Sequence, residues 1–494
     1  MTTKLFVSLV CFSFLVAVPV RAQERVDRDV IAKIRDEGLN RSQVLKMFTH
    51  FTEVIGPRLT GSPQVKAASD YGKARLSEWG LDNPRLEAWD FGRGWALEKF
   101  SIEMIEPRYM PLIGYPEAWS ASTAAELTGK PVLLGGKTQA DLEKMKGQLK
   151  GAIVFSQPLQ TYFERADRKQ PTLFDEPVPI GQPRAPQGSQ PMIIGAAMNK
   201  LLFESGAGVV IRPNRGEHGT LFVLGRDNAG TAMPSVVLSA EQYNMIVRML
   251  ELGQQVKLRV NVQTKFLTDD KNGYNVLAEL PGSDLKDETV MLGAHVDSWH
   301  SSPGATDNAD GSAVALEAMR ILKAIGMKPR RTIRMALWSG EEQGLHGSRK
   351  YVEKYLAGDA NKAARDKFYA YFNLDPGTGP IYGWYLENNE AVKPIFDAWL
   401  EPFKDLGARK NILQPIGSTD HVSFVRAGMA GFNPVQDYVD YDIRTHHTNV
   451  DTYERVKEQD LKQSAIVLAS FAYHAAMRAE RLPMPAPTPT PTPR

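Results

Sequence analysis

Between residues 29 and 80 the apolar positions recur at helical spacing, as in Val44, Met47, Phe48 and Phe51. This predicts two helices parted by a turn at Gly56-Pro57-Arg58 and Gly61-Ser62-Pro63. From about 125 to 265 the texture changes to short β-rich runs, Val132–Leu134, Ala152–Phe155, Gly208–Ile211 and Ser235–Leu238, joined by loops rich in Gly and Pro. The stretch Pro171–Pro191 holds six prolines and reads as irregular. After Tyr274 strand and helix patterns alternate. Val276–Leu280, Val290–Ala294, Thr332–Trp338 and Phe368–Leu374 read as strands, Asn308–Ile325 and His346–Leu356 as helices. Such alternation predicts an α/β fold with a mixed, centrally parallel sheet flanked by helices on both faces.

These textures divide the chain. Residues 23–124 and 266–482 read as one discontinuous domain, 125–265 as a smaller β-rich insertion, and 483–494 (PMPAPTPTPTPR) as an extended tail. The first 22 residues differ from the rest. Lys4 precedes an apolar run from Leu5 to Val20, followed by Arg21 and Ala22, the pattern of a secretory signal cleaved after Ala22. The run is shorter than the ~20 residues that cross a bilayer. A secreted or periplasmic protein without a membrane anchor is the expectation.

Composition narrows the chemistry. Hydrophobic residues make up 43% and charged residues 23% of the 494, an ordinary globular balance. Loss of Lys4 and Arg21 with the signal takes the net charge from +2 to 0. A neutral chain has no bulk field to draw nucleic acid or anionic lipid. The single cysteine, Cys11, leaves with the signal, so disulfides and thiolate chemistry are excluded from the processed chain. Any metal must then be held by nitrogen and oxygen.

Candidate donors stand at strand ends, where sites form in parallel sheets. His295 closes VMLGAH, Glu341 and Glu342 follow TIRMALWSG, Asp375 follows FYAYFNL, and Asp307 opens the helix after the first of these strands. Taken singly each has a plainer reading: Asp307 a helix N-cap, His295 a surface histidine, the glutamates a solvated turn. Their coincidence at strand ends brought together by one sheet favours metal. Imidazole and carboxylate are donors that zinc accepts, and two histidines with three carboxylates, one of them shared, suffice for two ions. Asp307, at a corner, suits the shared position. Asp297 lies two residues beyond His295 and is placed to orient its ring. With Glu342 on the metal, Glu341 is free to take a proton from water acidified by zinc and hand it to a leaving amine.

The ordered motifs HVD, GATDN, SGEE, NLD and HHTNVDT resemble those of the co-catalytic zinc exopeptidases, which include secreted bacterial aminopeptidases and glutamate carboxypeptidases. The resemblance implies two Zn2+ per chain, one held by His295, Asp307 and Asp375, the other by Asp307, Glu342 and His447, with Glu341 as general base. His446 stands where some relatives carry a tyrosine that stabilises the oxyanion, a departure from the family pattern in which the imidazole is the candidate donor. KGQLKGAIVFSQ and ESGAGVVI resemble parts of the protease-associated domain inserted in such enzymes, implying a cover over the active-site mouth. Short peptides are the expected substrates. For the substrate terminus the sequence offers Asp420 toward an amine and Arg58, Arg426 and Arg444 toward a carboxylate. An aminopeptidase or dipeptidase is favoured, with a carboxypeptidase second. A metal-free receptor requires missing donors, and none is missing; a glutaminyl cyclase requires a single zinc. A homodimer is compatible with the sequence.

Overall fold

The computed structural model describes residues 24–135, 139–169, 196–375 and 377–484. The signal sequence, the proline-rich stretch 171–191 and nearly all of the tail lie outside the described residues. Among the described residues no helix is long and apolar enough to cross a membrane.

The larger unit is built on seven strands: β1 (Asp82–Asp90), β2 (Asn272–Leu280), β3 (Leu285–His295), β4 (Arg331–Trp338), β5 (Phe368–Asn373), β6 (Thr378–Tyr385) and β7 (Gly431–Asp437). They lie in the order β1-β2-β4-β3-β5-β7-β6. The inner four, β4, β3, β5 and β7, run parallel, and β1, β2 and β6 pair antiparallel with their neighbours. This is the mixed, centrally parallel sheet expected from the strand–helix alternation.

The inner strands are apolar at nearly every position because both faces are covered. Alternate residues of β2, β3 and β4 sort into two cores. Ala278, Leu292 and Met335 join one core with the helices Arg28–Asn40, Asp310–Ala324 and Glu458–Met477. Leu277, Met291 and Ala336 join another with Tyr351, Val352 and Phe424 of the helices His346–Tyr355 and His421–Arg426. The helix Pro63–Glu78 begins where the sequence dictates. Pro63 is its first residue, and the Ser62 side chain accepts a hydrogen bond from Val65 N.

The β-rich unit contains two sheets. One joins 94–106, 257–267, 110–111 and 127–129; the other joins 114–116, 235–238, 209–213, 153–155 and 132–133. Ile102, Met104, Leu258 and Val260 of the first pack on Phe155, Ile211 and Leu238 of the second. The hydropathy texture marks 125 as the start of this unit, but strand pairing draws in residues from Gly94 onward. Register is the reason: Phe100, Ile102 and Met104 stand opposite Val262, Val260 and Leu258 along one long hairpin-like pair. Segments 151 to 156 residues apart in sequence cannot advertise that pairing locally.

Candidate active site

Parallel pairing aligns three strand ends. His295 of β3 stands beside Trp338 of β4, and Gly293 beside Asn373 of β5. The chain beyond each strand therefore delivers His295, Glu341 with Glu342, and Asp375 to one crevice, the place the topology favours. Asp307 arrives on the loop between β3 and the helix Asp310–Ala324. The next residue, Asn308, pins that loop: its Nδ2 donates to Leu374 O at 2.9 Å, and its Oδ1 accepts from Gly311 N at 3.1 Å. A Cβ at position 311 would fall 2.1 Å from Asn308 Oδ1, so the close approach requires glycine.

Asp307 lies between two histidines. Its Oδ1 is 3.2 Å from His295 Nε2, and its Oδ2 is 3.3 Å from His447 Nε2. Asp375 Oδ1 is 3.6 Å from His295 Nε2, and Glu342 Oε2 is 2.9 Å from His447 Nε2. Donors bound at about 2.0–2.1 Å to a tetrahedral ion sit roughly 3.3 Å from one another. The spacings around Asp307 thus suit two zinc ions sharing one carboxylate. His295 Nε2 and Glu342 Oε1 are buried without a hydrogen-bond partner among the described residues, which leaves both free to ligate. The ring of His446 also brings a nitrogen within 4.8 Å of donor atoms of Asp307 and His447. Glu342 is the better third donor to the His447 group, because it is in direct contact while His446 Nδ1 is turned to Asp442 Oδ1 at 3.7 Å.

The electrostatics ask for cations. Burial raises Glu341 and Glu342 well above the usual carboxylate range, and neighbouring acids add to it, Asp375 for Glu341 and Asp307 for Glu342. Burial alone would lower His295, but the carboxylates of Glu341 and Asp375 outweigh it and hold the ring well above the ordinary histidine range. So many enclosed acids need a compensating positive charge, from protons or from metal.

Asp297 ties these parts together. Its backbone carbonyl is the hydrogen-bond partner of His295 Nδ1 at 3.1 Å, with the carboxylate 3.6 Å from the same nitrogen. The carboxylate accepts from Thr60 Oγ1 at 2.8 Å and from the backbone N–H groups of Glu341 and Glu342, each at 3.3 Å. One buried acid thereby orients a candidate ligand and fixes the backbone of the glutamate pair. Glu341 Oε2 lies 4.0 Å from His295 Nε2, beside the donor cluster.

Other sequence-read residues sit differently. Arg58 is wholly buried and donates to the carbonyls of Val296, Phe51, Gly56, Pro303 and Gly304. Its guanidinium is consumed as a strut under the loop after His295, so it does not meet a substrate carboxylate. Asp420 is also wholly enclosed, with both carboxylate oxygens lacking a hydrogen-bond partner among the described residues. Burial pushes it up to about 7, with the negative charges of Asp297 and Asp375 contributing and His295 opposing. The enclosure of Asp420 sets it apart from the partly exposed His446. Arg444 Nη1 reaches Thr220 Oγ1 at 3.3 Å and Glu217 O at 3.4 Å, both in the β-rich unit. His446 is partly exposed, stacks on Tyr441 with ring centres 5.0 Å apart, and lies 3.8 Å from the His447 ring.

Sequence reasoning missed one residue of consequence. Asp451 is buried and accepts from Thr306 N at 2.9 Å and Asp307 N at 3.2 Å. Its motif position was visible in HHTNVDT, but nothing in a linear sequence says which distant loop it grips.

Residues 275–472 match Peptidase family M28. Over 434 residues the chain is 24% identical to carboxypeptidase Q of Mus musculus, covering 87% of this chain and 85% of that protein. A peptidase M28 precursor from Shewanella amazonensis is 26% identical, with a TM-score of 0.69 over 93% of this chain and 99% of that one. A zinc aminopeptidase from Bacillus subtilis shares the fold at 19% identity, with a TM-score of 0.57 over 90% and 97% of the two chains.

Proposed function

From the premise that this chain is a metallopeptidase of the M28 type, we propose that it is a secreted exopeptidase of short peptides that uses two zinc ions, with Glu341 as general base. The observation that carries this reading is the division of the Asp307 carboxylate between His295 and His447. His295, Asp307 and Asp375 would hold one ion; Asp307, Glu342 and His447 would hold the other. When bound, zinc supplies Lewis acidity toward a scissile carbonyl and brings the pKa of water down to roughly 7.

The chain's own residues do the rest. Glu341 accepts a proton from the attacking water and returns it to the departing amine, a transfer favoured when its affinity for protons is raised toward neutrality. Asp297 keeps Glu341 and Glu342 in register by accepting from both backbone N–H groups. His446 donates a hydrogen bond to the oxygen of the tetrahedral intermediate. The β-rich unit, joined to the His447 segment, restricts the crevice to short substrates.

Aminopeptidase or dipeptidase activity is the favoured direction. Arg58 is withdrawn from carboxylate recognition by its backbone partners. The relatives named carboxypeptidase Q support the second reading, a carboxypeptidase. Purified protein assayed on aminoacyl, dipeptide and N-acyl-peptide substrates, with and without chelator, separates the two. Chelator-sensitive cleavage confined to free amino termini supports the first; cleavage of N-acyl peptides from the carboxyl end replaces it with the second; no peptide cleavage defeats both.

A further inference from the structure

The donors differ in what anchors them. His295 ends a central strand, Asp375 follows another, and Asp307 is held through Asp451, all within the larger unit. His447 instead stands on the irregular segment after β7, at a left-handed backbone position with φ of 62°. That segment is gripped from two sides by the β-rich unit.

On one side Val223 N donates to His447 O at 3.0 Å, Asn449 N donates to Leu221 O at 3.1 Å, and Leu221 N donates to Asn449 Oδ1 at 2.7 Å. On the other side two consecutive residues form a clasp. Asp167 accepts from Asp440 N at 2.8 Å and from Ile443 N at 3.1 Å. Arg168 donates to Asp442 through its backbone N at 2.7 Å, through Nε at 2.8 Å and through Nη2 at 2.6 Å. Its guanidinium also lies over the rings of Tyr438 and Tyr441, at 5.0 and 5.3 Å. Tyr441 stacks on His446, and His446 rests on His447. A continuous chain of contacts therefore runs from Arg168 to the candidate metal ligand.

We propose that Asp167 and Arg168 are positioning residues for His447, so that the β-rich unit completes one of the two metal sites rather than only covering the crevice. This rests on the two-ion reading of the preceding subsection. A bidentate arginine–carboxylate pair reinforced by stacking has the geometry to hold a loop in one conformation. The grip is one-sided: it touches the segment of His447 and none of the donors around His295. Weakening it should loosen one ion and spare the other.

The test is calorimetric titration of zinc into chelator-stripped full-length protein, with ion count by elemental analysis. In the double variant Asp167→Asn, Arg168→Ala one of the two ions should bind about 10–100-fold more weakly, the range expected when a ligand loses its support, while the other keeps its affinity. Arg168→Lys keeps the charge but loses the fork, and should fall between. Arg165→Ala, a nearby change that removes an ion pair with Glu217, should match the wild type. Two ions at wild-type affinity in the double variant, or equal weakening of both, overturns the clasp. A wild-type chain that takes up no second ion overturns the two-ion reading itself, and is seen before any variant is made.

Discussion

Asp451 holds Asp307 by its backbone. The Asp307 N–H donates to Asp451 Oδ2 at 3.2 Å, and the preceding Thr306 N–H donates to Oδ1 at 2.9 Å. The two acids approach because backbone donors lie between them. Burial nonetheless raises Asp451 to about 7, with the charge of Asp307 adding to it against those hydrogen bonds. In Asp451→Asn one acceptor becomes a donor facing an N–H. Zinc affinity should fall about 10–100-fold, read by titration against a competing chelator. Unchanged affinity means that Asp307 is placed without this support.

Glu341→Gln should retain both ions and the wild-type melting temperature while kcat falls by about 10²–10⁴-fold, the usual worth of a positioned general base. The amide preserves size but cannot take the proton. Near-normal turnover on the best substrate assigns proton transfer to another group.

Arg58→Met should act on stability. It takes a donor from five backbone carbonyls. Those of Phe51 and Gly304 keep a backbone N–H, while those of Val296, Gly56 and Pro303 lose their partner, a loss of about 3 kcal/mol. Chemical denaturation measures it. A variant of wild-type stability with only a raised KM returns Arg58 to substrate recognition.

Acid should destabilise the fold through two histidines kept neutral by burial. His300, held by Pro116 O at 2.8 Å, and His474, whose Nε2 accepts from Asp27 N at 3.3 Å, are each lowered to about 4. Unfolded, each titrates near 6.5. Their contribution is present above about pH 6.5 and is lost as pH falls toward 4, because the unfolded chain binds protons that the folded chain refuses. Each is worth on the order of 3 kcal/mol across that window. Melting temperature followed from pH 7 to pH 4.5 should drop, and less steeply in His474→Gln. Parallel curves remove His474 from the account.

The central sheet was legible because its strands are short apolar runs alternating with helices, and the crevice followed from their parallel order. Strand-end residues such as His295 and Asp375 could be picked out for the same reason. What could not be read depends on long-range pairing. Gly94–Glu106 joins the β-rich unit only because it finds Lys257–Leu267. Arg58 looked available for an anion because sequence shows its charge and not the carbonyls that surround it. Sequence shows the charge of Asp420 and not its burial, which is a property of the folded neighbourhood.

The most direct measurement is anomalous diffraction at the zinc edge from crystals of the zinc-loaded protein. Two peaks about 3.5–4 Å apart are expected, one oxygen of Asp307 bound to each, His295 on one ion and His447 on the other. A single peak, or two ions that do not share Asp307, contradicts the two-zinc reading.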